Sequence, residues 1–182
     1  MLVLLQTHKK IILILTVCIA GLAFLTYSFV SPNGIFSGLQ NDLKNIEKEG
    51  VAAYTDLDGN PVSLSIFKGQ SLIINAWASW IPFSQEELRL LAKVKKDKGD
   101  SITIIAINRM EDITTIKSYL EFIGKPEGIV FLSDPTDNFY KVVGGYAMPE
   151  TMFYTRDGVV VTHKRGVLKE DELLDYVQGI QQ

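Results

Sequence analysis

A chain of 182 residues that is 47% hydrophobic and 21% charged suits one compact domain plus an additional element, and excludes a largely disordered polypeptide. Its net charge of −3 is unevenly spread: after Lys9 and Lys10 no charged residue occurs before Asp42, and the remaining Lys and Arg from there on are outnumbered by 21 Asp and Glu, leaving no basic stripe for nucleic acid. One cysteine, Cys18, and two histidines, His8 and His163, exclude an intrachain disulfide, a zinc cluster and dithiol chemistry, and no cofactor or metal is expected.

In chain order, residues 1–10 read as a short basic N-terminus, followed by Ile11 to Val30, an uncharged and mostly apolar run of 20 residues. A helix of that length rises about 30 Å, the thickness of a bilayer core, so one transmembrane helix is expected over 11–30. Lys9 and Lys10 before the run, and a neutral flank after it, put the N-terminus in the cytoplasm and the rest of the chain outside, as a single-pass protein of the cytoplasmic membrane. The rival is a cleaved secretory signal, but the run is long for one and no clean Ala-x-Ala site follows. Cys18 reads as a lipid-facing thiol, since Val17 stands where a lipidation motif wants a small residue.

Residues 31–50 read as a linker that begins at Ser31-Pro32-Asn33-Gly34 and continues into a short juxtamembrane helix with Leu39, Leu43 and Ile46 on one face. A single domain is expected over 51–182. It opens with a hairpin, Val51 to Thr55 and Pro61 to Leu64, around the turn Asp56-Leu57-Asp58-Gly59-Asn60, which resembles a calcium loop only superficially because its glycine comes early and no Glu stands at the twelfth position. Ser71 to Trp77, Ile102 to Ile107 and Ile129 to Leu132 are short, nearly continuous apolar runs, which predicts central strands. Phe83 to Lys98 predicts a helix with acidic residues at its start, lysines at its end and Gly99 as a stop, and hence a right-handed strand–helix–strand crossover. A second helix capped by Asp112 runs to about Phe122, and a third starts at Asp134 or Thr136 and ends near Gly144-Gly145. Thr151 to Tyr154 and Val159 to Arg165 flank Arg156-Asp157-Gly158 as a second hairpin, and Lys169 to Gln178 forms a closing amphipathic helix.

The resulting fold class is α/β, a central mixed sheet flanked by helices with an added N-terminal hairpin. Leu72 to Leu88, centred on Trp77-Ala78-Ser79-Trp80-Ile81-Pro82-Phe83-Ser84, resembles the active-site strand and helix start of the membrane-anchored thioredoxin-like redoxins of the TlpA, ResA and DsbE/CcmG type. Tyr140-Lys141-Val142-Val143, Gly145-Tyr146 and Met148-Pro149-Glu150-Thr151-Met152-Phe153 are similar to that family's second signature. The resemblance covers about residues 51–180 and implies a thioredoxin-like fold, a cis peptide before Pro149 and thiol–disulfide exchange. The family's two cysteines, however, fall on Ile81 and Ser84, and exchange needs a thiolate with a second thiolate as leaving group. No His lies near either motif to make Ser84 a nucleophile, and Ser84 is expected instead to bond a free amide of its own helix.

Two functions follow from the resemblance. The first is a noncatalytic, membrane-tethered module that binds a polypeptide or an envelope redox protein, in envelope thiol or cytochrome maturation. Its groove would be lined by Trp80, Ile81, Pro82 and Phe83 on one loop and Met148, Pro149 and Glu150 on the other. The second is an oxidoreductase that works with thiols supplied by a partner chain. Glu150 is expected to contact solvent or a partner, and His163 to be a surface strand residue.

Overall fold

The computed structural model describes residues 54–181. The expected transmembrane helix at 11–30, the linker and helix at 31–50, and residues 51–53 of the first hairpin lie outside the described residues. Among the described residues no helix is long and apolar enough to cross a membrane.

The seven-stranded mixed sheet has the order β2-β1-β5-β4-β3-β6-β7. Its first hairpin is β1 (Tyr54–Asp56) and β2 (Pro61–Val62). The turn closes on Asp56, whose carboxylate accepts the amides of Asp58 and Asn60 and the side-chain amide of Asn60, while Gly59 takes the positive φ of 84° that glycine adopts freely. These oxygens are thus spent inside the turn, as an ordinary turn requires.

Strands β3 (Leu72–Trp77), β4 (Thr103–Arg109) and β5 (Ile129–Asp134) run parallel. They are almost wholly buried, which is why they read as continuous apolar runs rather than as an alternation. Between β3 and β4 lies α1 (Ser84–Lys98), with Glu86 and Glu87 in its first turn and Lys95, Lys96 and Lys98 in its last, both complementing the helix dipole. Lys95 also folds back to donate to the carbonyls of Gly99 and Ile102, so the helix ends where the glycine predicts.

Helix α2 (Ile113–Phe122) is capped by Asp112, which accepts the amide of Thr115 at 2.9 Å. The third helix, α3 (Asn138–Val142), starts later than expected. Asp134 and Thr136 do not open it, because Asp134 belongs to β5 and is fully buried, where it accepts the amide of Phe139. Then β6 (Glu150–Tyr154) pairs antiparallel with β3, β7 (Val160–Arg165) pairs antiparallel with β6, and α4 (Glu170–Ile180) closes the domain.

Leu91 and Val94 of α1 and Leu173 and Val177 of α4 pack with Ile73 and Phe153 into one core cluster. Leu88 of α1 and Ile116 and Leu120 of α2 pack around Trp77 in a second. Trp77 itself is fully buried, with Tyr119 at 5.6 Å and Phe131 at 6.2 Å between ring centroids. Each such side chain contributes about 1.5–3 kcal/mol by leaving water, and together they hold the start of α1 over the carboxyl end of β3.

Candidate functional site

Sheet register decides which loops meet. Trp77 stands opposite Asn108 and Ala76 opposite Glu150, so the loops after β3, after β4 and before β6 emerge at one edge. The two loops expected to form the site therefore share an edge, and the loop after β4 joins them.

The first loop turns tightly, with the Ile81 amide bonded to the Ala78 carbonyl and the Ser84 amide to the Ile81 carbonyl. Trp80 is 60% and Phe83 47% exposed, Pro82 is exposed and Ile81 half-buried. Phe83 precedes the helix and caps it with no side-chain bond. Ser84 departs from expectation: it is fully buried and its hydroxyl has no partner, so it caps nothing. Its position as the first residue of the inward-facing stripe Ser84, Glu87, Leu88, Leu91, Val94 turns it into the domain.

The loop is anchored from the segment just after β4 by Glu111, a residue the motifs did not single out. Its carboxylate accepts the Ser79 amide at 2.8 Å, the Ser79 hydroxyl and the Asn108 side-chain amide at 2.6 Å. Met110, between Asn108 and Glu111, has a φ of 61° and is 64% exposed.

Behind Ser84 lies a buried carboxyl. Glu87 is 2% exposed and accepts from Asn75 at 2.8 Å, from the Thr151 hydroxyl at 2.8 Å and from the Leu168 amide at 3.1 Å. Burial pushes it up to about 7 from its ordinary 4.5, against the lowering effect of these bonds and of Lys164. The sequence signal was present: Glu87 occupies the same helical stripe as Leu88 and Leu91.

In the second loop the Met148-Pro149 peptide is cis, as the resemblance implies. Pro149 is buried and Met148 half-buried. Glu150, expected at the partner face, is fully buried instead. It accepts the amides of Tyr146 and Ala147 at 2.8 and 3.1 Å and pairs with His163 at 3.0 Å. Burial alone would raise its carboxyl, but the His163 bond and the two amides outweigh that and hold it below its ordinary range. His163 is correspondingly no surface residue, with a side chain 4% exposed. Antiparallel pairing places Met152 opposite His163 and Glu150 opposite Arg165, so the Glu150–His163 pair bridges diagonally across the two strands.

On the same side of the sheet Arg109 forms two bonds of 2.6 Å with Asp137 and lies 3.3 Å from the centre of the Tyr140 ring. Tyr140 in turn donates to the Ala147 carbonyl, and a Cβ at Gly145 would run into its ring, which is why glycine stands there. Among the described residues no His, Cys, Asp and Glu group could hold a metal ion, and Cys18 is the chain's single cysteine.

This fold and this edge define a thioredoxin-like domain of the redoxin class. A family model described as Redoxin matches residues 40–180, and the chain belongs to that family. Among curated relatives, the thiol-disulfide oxidoreductase ResA of Bacillus thuringiensis subsp. konkukian is 24% identical over 127 residues, 69% of this chain and 72% of the relative. ResA of Bacillus subtilis is 24% identical over 173 residues, 93% and 89% of the two chains. The thiol:disulfide interchange protein DsbE of Vibrio cholerae is 30% identical over 96 residues, 53% of this chain and 50% of the relative. Two solved structures share the fold: dsbF of Mycobacterium tuberculosis, at a TM-score of 0.63 and 20% identity over 69% of this chain and 92% of that one, and a thiol:disulfide interchange protein DsbE from Chlorobium tepidum, at 0.63 and 19% over 72% and 96%.

Proposed function

We propose that this redoxin is tethered to the outer face of a cytoplasmic membrane through residues 11–30 and binds a polypeptide partner without exchanging thiols, in envelope thiol or cytochrome maturation. One observation carries the reading: Ile81 and the buried Ser84 stand at the start of α1 where the resemblance puts the family's cysteines, and residues 54–181 contain no cysteine. Exchange forms one S–S bond as it breaks another, so a domain without a thiol has neither the attacking nor the resolving group.

Ser84 does not substitute for them. Its hydroxyl is enclosed, the oxygens of Glu87 are engaged by Asn75, Thr151 and Leu168, and His163 is engaged by Glu150. A serine nucleophile needs a base within hydrogen-bond reach.

Binding is supported by what the edge offers. Trp80 and Phe83 expose aromatic surface around the half-buried Ile81 on the loop after β3, and the half-buried Met148 stands on the loop before β6 at the same end of the sheet. The backbone around Met148 is committed at Gly144, Gly145, Tyr146, Ala147 and Pro149, which leaves Met148 to offer its N–H and C=O to an extended segment.

The test is a disulfide reductase assay on the full chain with a small disulfide substrate and an external reductant. The expected rate equals that without protein. Turnover above that background overturns the noncatalytic reading.

A further inference from the structure

We propose that the turn between β7 and α4, residues 166–169, is a proton-linked latch in which Lys164 is shared between two carboxylates, Glu172 and Glu87. Loss of the Glu87 proton draws Lys164 inward from Glu172, tightening the turn at Leu168 and loosening it at Lys169. This goes beyond the binding role proposed above and does not depend on it.

The turn is held at three points. The Gly166 amide donates to the Pro149 carbonyl at 2.9 Å, the Leu168 amide to Glu87 at 3.1 Å and the Lys169 amide to Glu172 at 3.1 Å. The Leu168 side chain is buried in the core cluster shared by α1 and α4, so the turn stays seated whichever carboxylate holds the cation. The two carboxylates differ in their access to water: Glu87 is 2% exposed, whereas the Glu172 side chain is 30% exposed.

Lys164 stands between them. It lies on β7 directly opposite Thr151 of β6, and the Thr151 hydroxyl donates to Glu87. Side chains of a directly opposed pair start only about 4.5–5.5 Å apart, so an ammonium on a flexible four-carbon stem reaches toward Glu87 by turning about that stem. In this structure it bonds both oxygens of Glu172 at 2.7 Å. That bond, with the Lys169 amide, holds Glu172 below its ordinary carboxyl range. Burial raises Glu87 to about 7, and Lys164 is the charged group that opposes the rise. One cation therefore acts on both carboxylates.

The other groups packed here do not compete for it. Asn75 of β3 and Thr151 of β6 are neutral donors to Glu87, and Lys93 of α1 is bonded to Glu170 of α4 at 2.5 Å.

Solvation decides where the ammonium goes. While Glu87 is protonated it is neutral, and Lys164 rests on Glu172. Once ionised, Glu87 carries a charge that water does not reach, whereas Glu172 can exchange the ammonium for water. A partly exposed ion pair contributes little, and attraction between the same charges grows as the local dielectric falls. Lys164 is already only 20% exposed, so it gives up little further hydration by moving inward. The anionic Glu87 then holds the Leu168 amide by a charge-assisted bond, while Glu172, released by Lys164, holds the Lys169 amide less firmly. The Gly166–Pro149 bond carries the change to the loop before β6.

The full chain, labelled with nitrogen-15 in neutral detergent, is followed by amide NMR between pH 5.5 and pH 8.5. The Leu168 and Lys169 amides are expected to titrate with one common midpoint near 7. Their protection against hydrogen exchange, corrected for the intrinsic rate, should rise about threefold at Leu168 and fall about threefold at Lys169. Glu87→Gln should abolish both changes. Lys164→Met should raise the Leu168 midpoint and abolish the Lys169 response, and Glu172→Gln, which frees the cation for Glu87, should lower that midpoint. Circular dichroism and melting curves establish that each variant is folded. A Lys169 response that survives Lys164→Met, or a midpoint unmoved by both Lys164→Met and Glu172→Gln, overturns the inference. In the parent chain alone, changes of the same sign at the two amides, or no titration at either, overturn it whether or not a variant folds.

Discussion

Glu87 is the residue through which acidity acts most directly on this domain. Its carboxyl in the folded state is raised to about 7 from 4.5, so between those values the unfolded chain has lost a proton that the folded chain retains. Folding stability therefore falls as pH rises through that window, and the penalty is complete above about 7. The stability of Glu87→Gln relative to the parent chain should rise by about 3 kcal/mol between pH 4.5 and pH 8, measured as the difference between urea unfolding curves at each pH. A difference that does not move with pH would show that Glu87 ionises normally. The Glu150–His163 pair is another product of burial, and it was not legible in the sequence. Both residue types are ordinary on a surface strand, and only the register of β6 against β7 turns them toward each other. Glu87 was half-legible: its helical phase with Leu88 and Leu91 placed it inside, but its partners Asn75, Thr151 and Leu168 come from distant parts of the chain.

At the scale of the element, the start of α1 determines what the site can become. The helix was legible from Leu88, Leu91 and Val94 and from Gly99, and its start was displaced by one residue because Phe83 caps it without entering it. Ser84 falls on the buried stripe because it stands three and four positions before the buried Glu87 and Leu88. The double change Ile81→Cys, Ser84→Cys should place two thiols at a helix N-terminus, with the first lowered in pKa. We expect it to form a reversible intramolecular disulfide by thiol counting, and to cost about 1 kcal/mol at the half-buried position 81. A folded variant whose thiols never pair would show that these are not the family's thiol positions. The adjoining loop has its own anchor. Glu111→Ala leaves the Ser79 amide and the Asn108 side chain without their acceptor, which should cost about 2 kcal/mol and accelerate hydrogen exchange at the Ser79 amide more than at the amides of β3. Unchanged exchange there would show that Glu111 does not hold the loop.

For the whole molecule, the order of strands and helices was legible because each central strand is apolar on both faces and each helix has its own start or stop residue. The short α3 was the least legible element: Asp134, a plausible cap, is drawn into β5 by its pairing with Arg109. The proposed membrane tether makes a prediction of its own, since Lys9 and Lys10 precede the neutral run. Protease added to intact spheroplasts should digest residues 51–182 while a cytoplasmic control survives. Protection of the domain would overturn the topology, and a mature N-terminus near residue 30 would overturn the anchor alone.

The sheet also dictates when the domain can exist. Asn75 of β3 bonds Thr151 of β6 at a sequence separation of 76, and Thr55 of β1 pairs with Ser133 of β5. A chain emerging N-terminus first therefore exposes β3, the most apolar strand, with one open edge until β6 has followed it. Such distant pairings close slowly, and an open apolar edge recruits other strands. A chain that crosses a membrane while being made would meet this interval on the far side, so a holding chaperone there, or slow delivery of the segment from Glu150 onward, would decide how much of the protein reaches its native sheet.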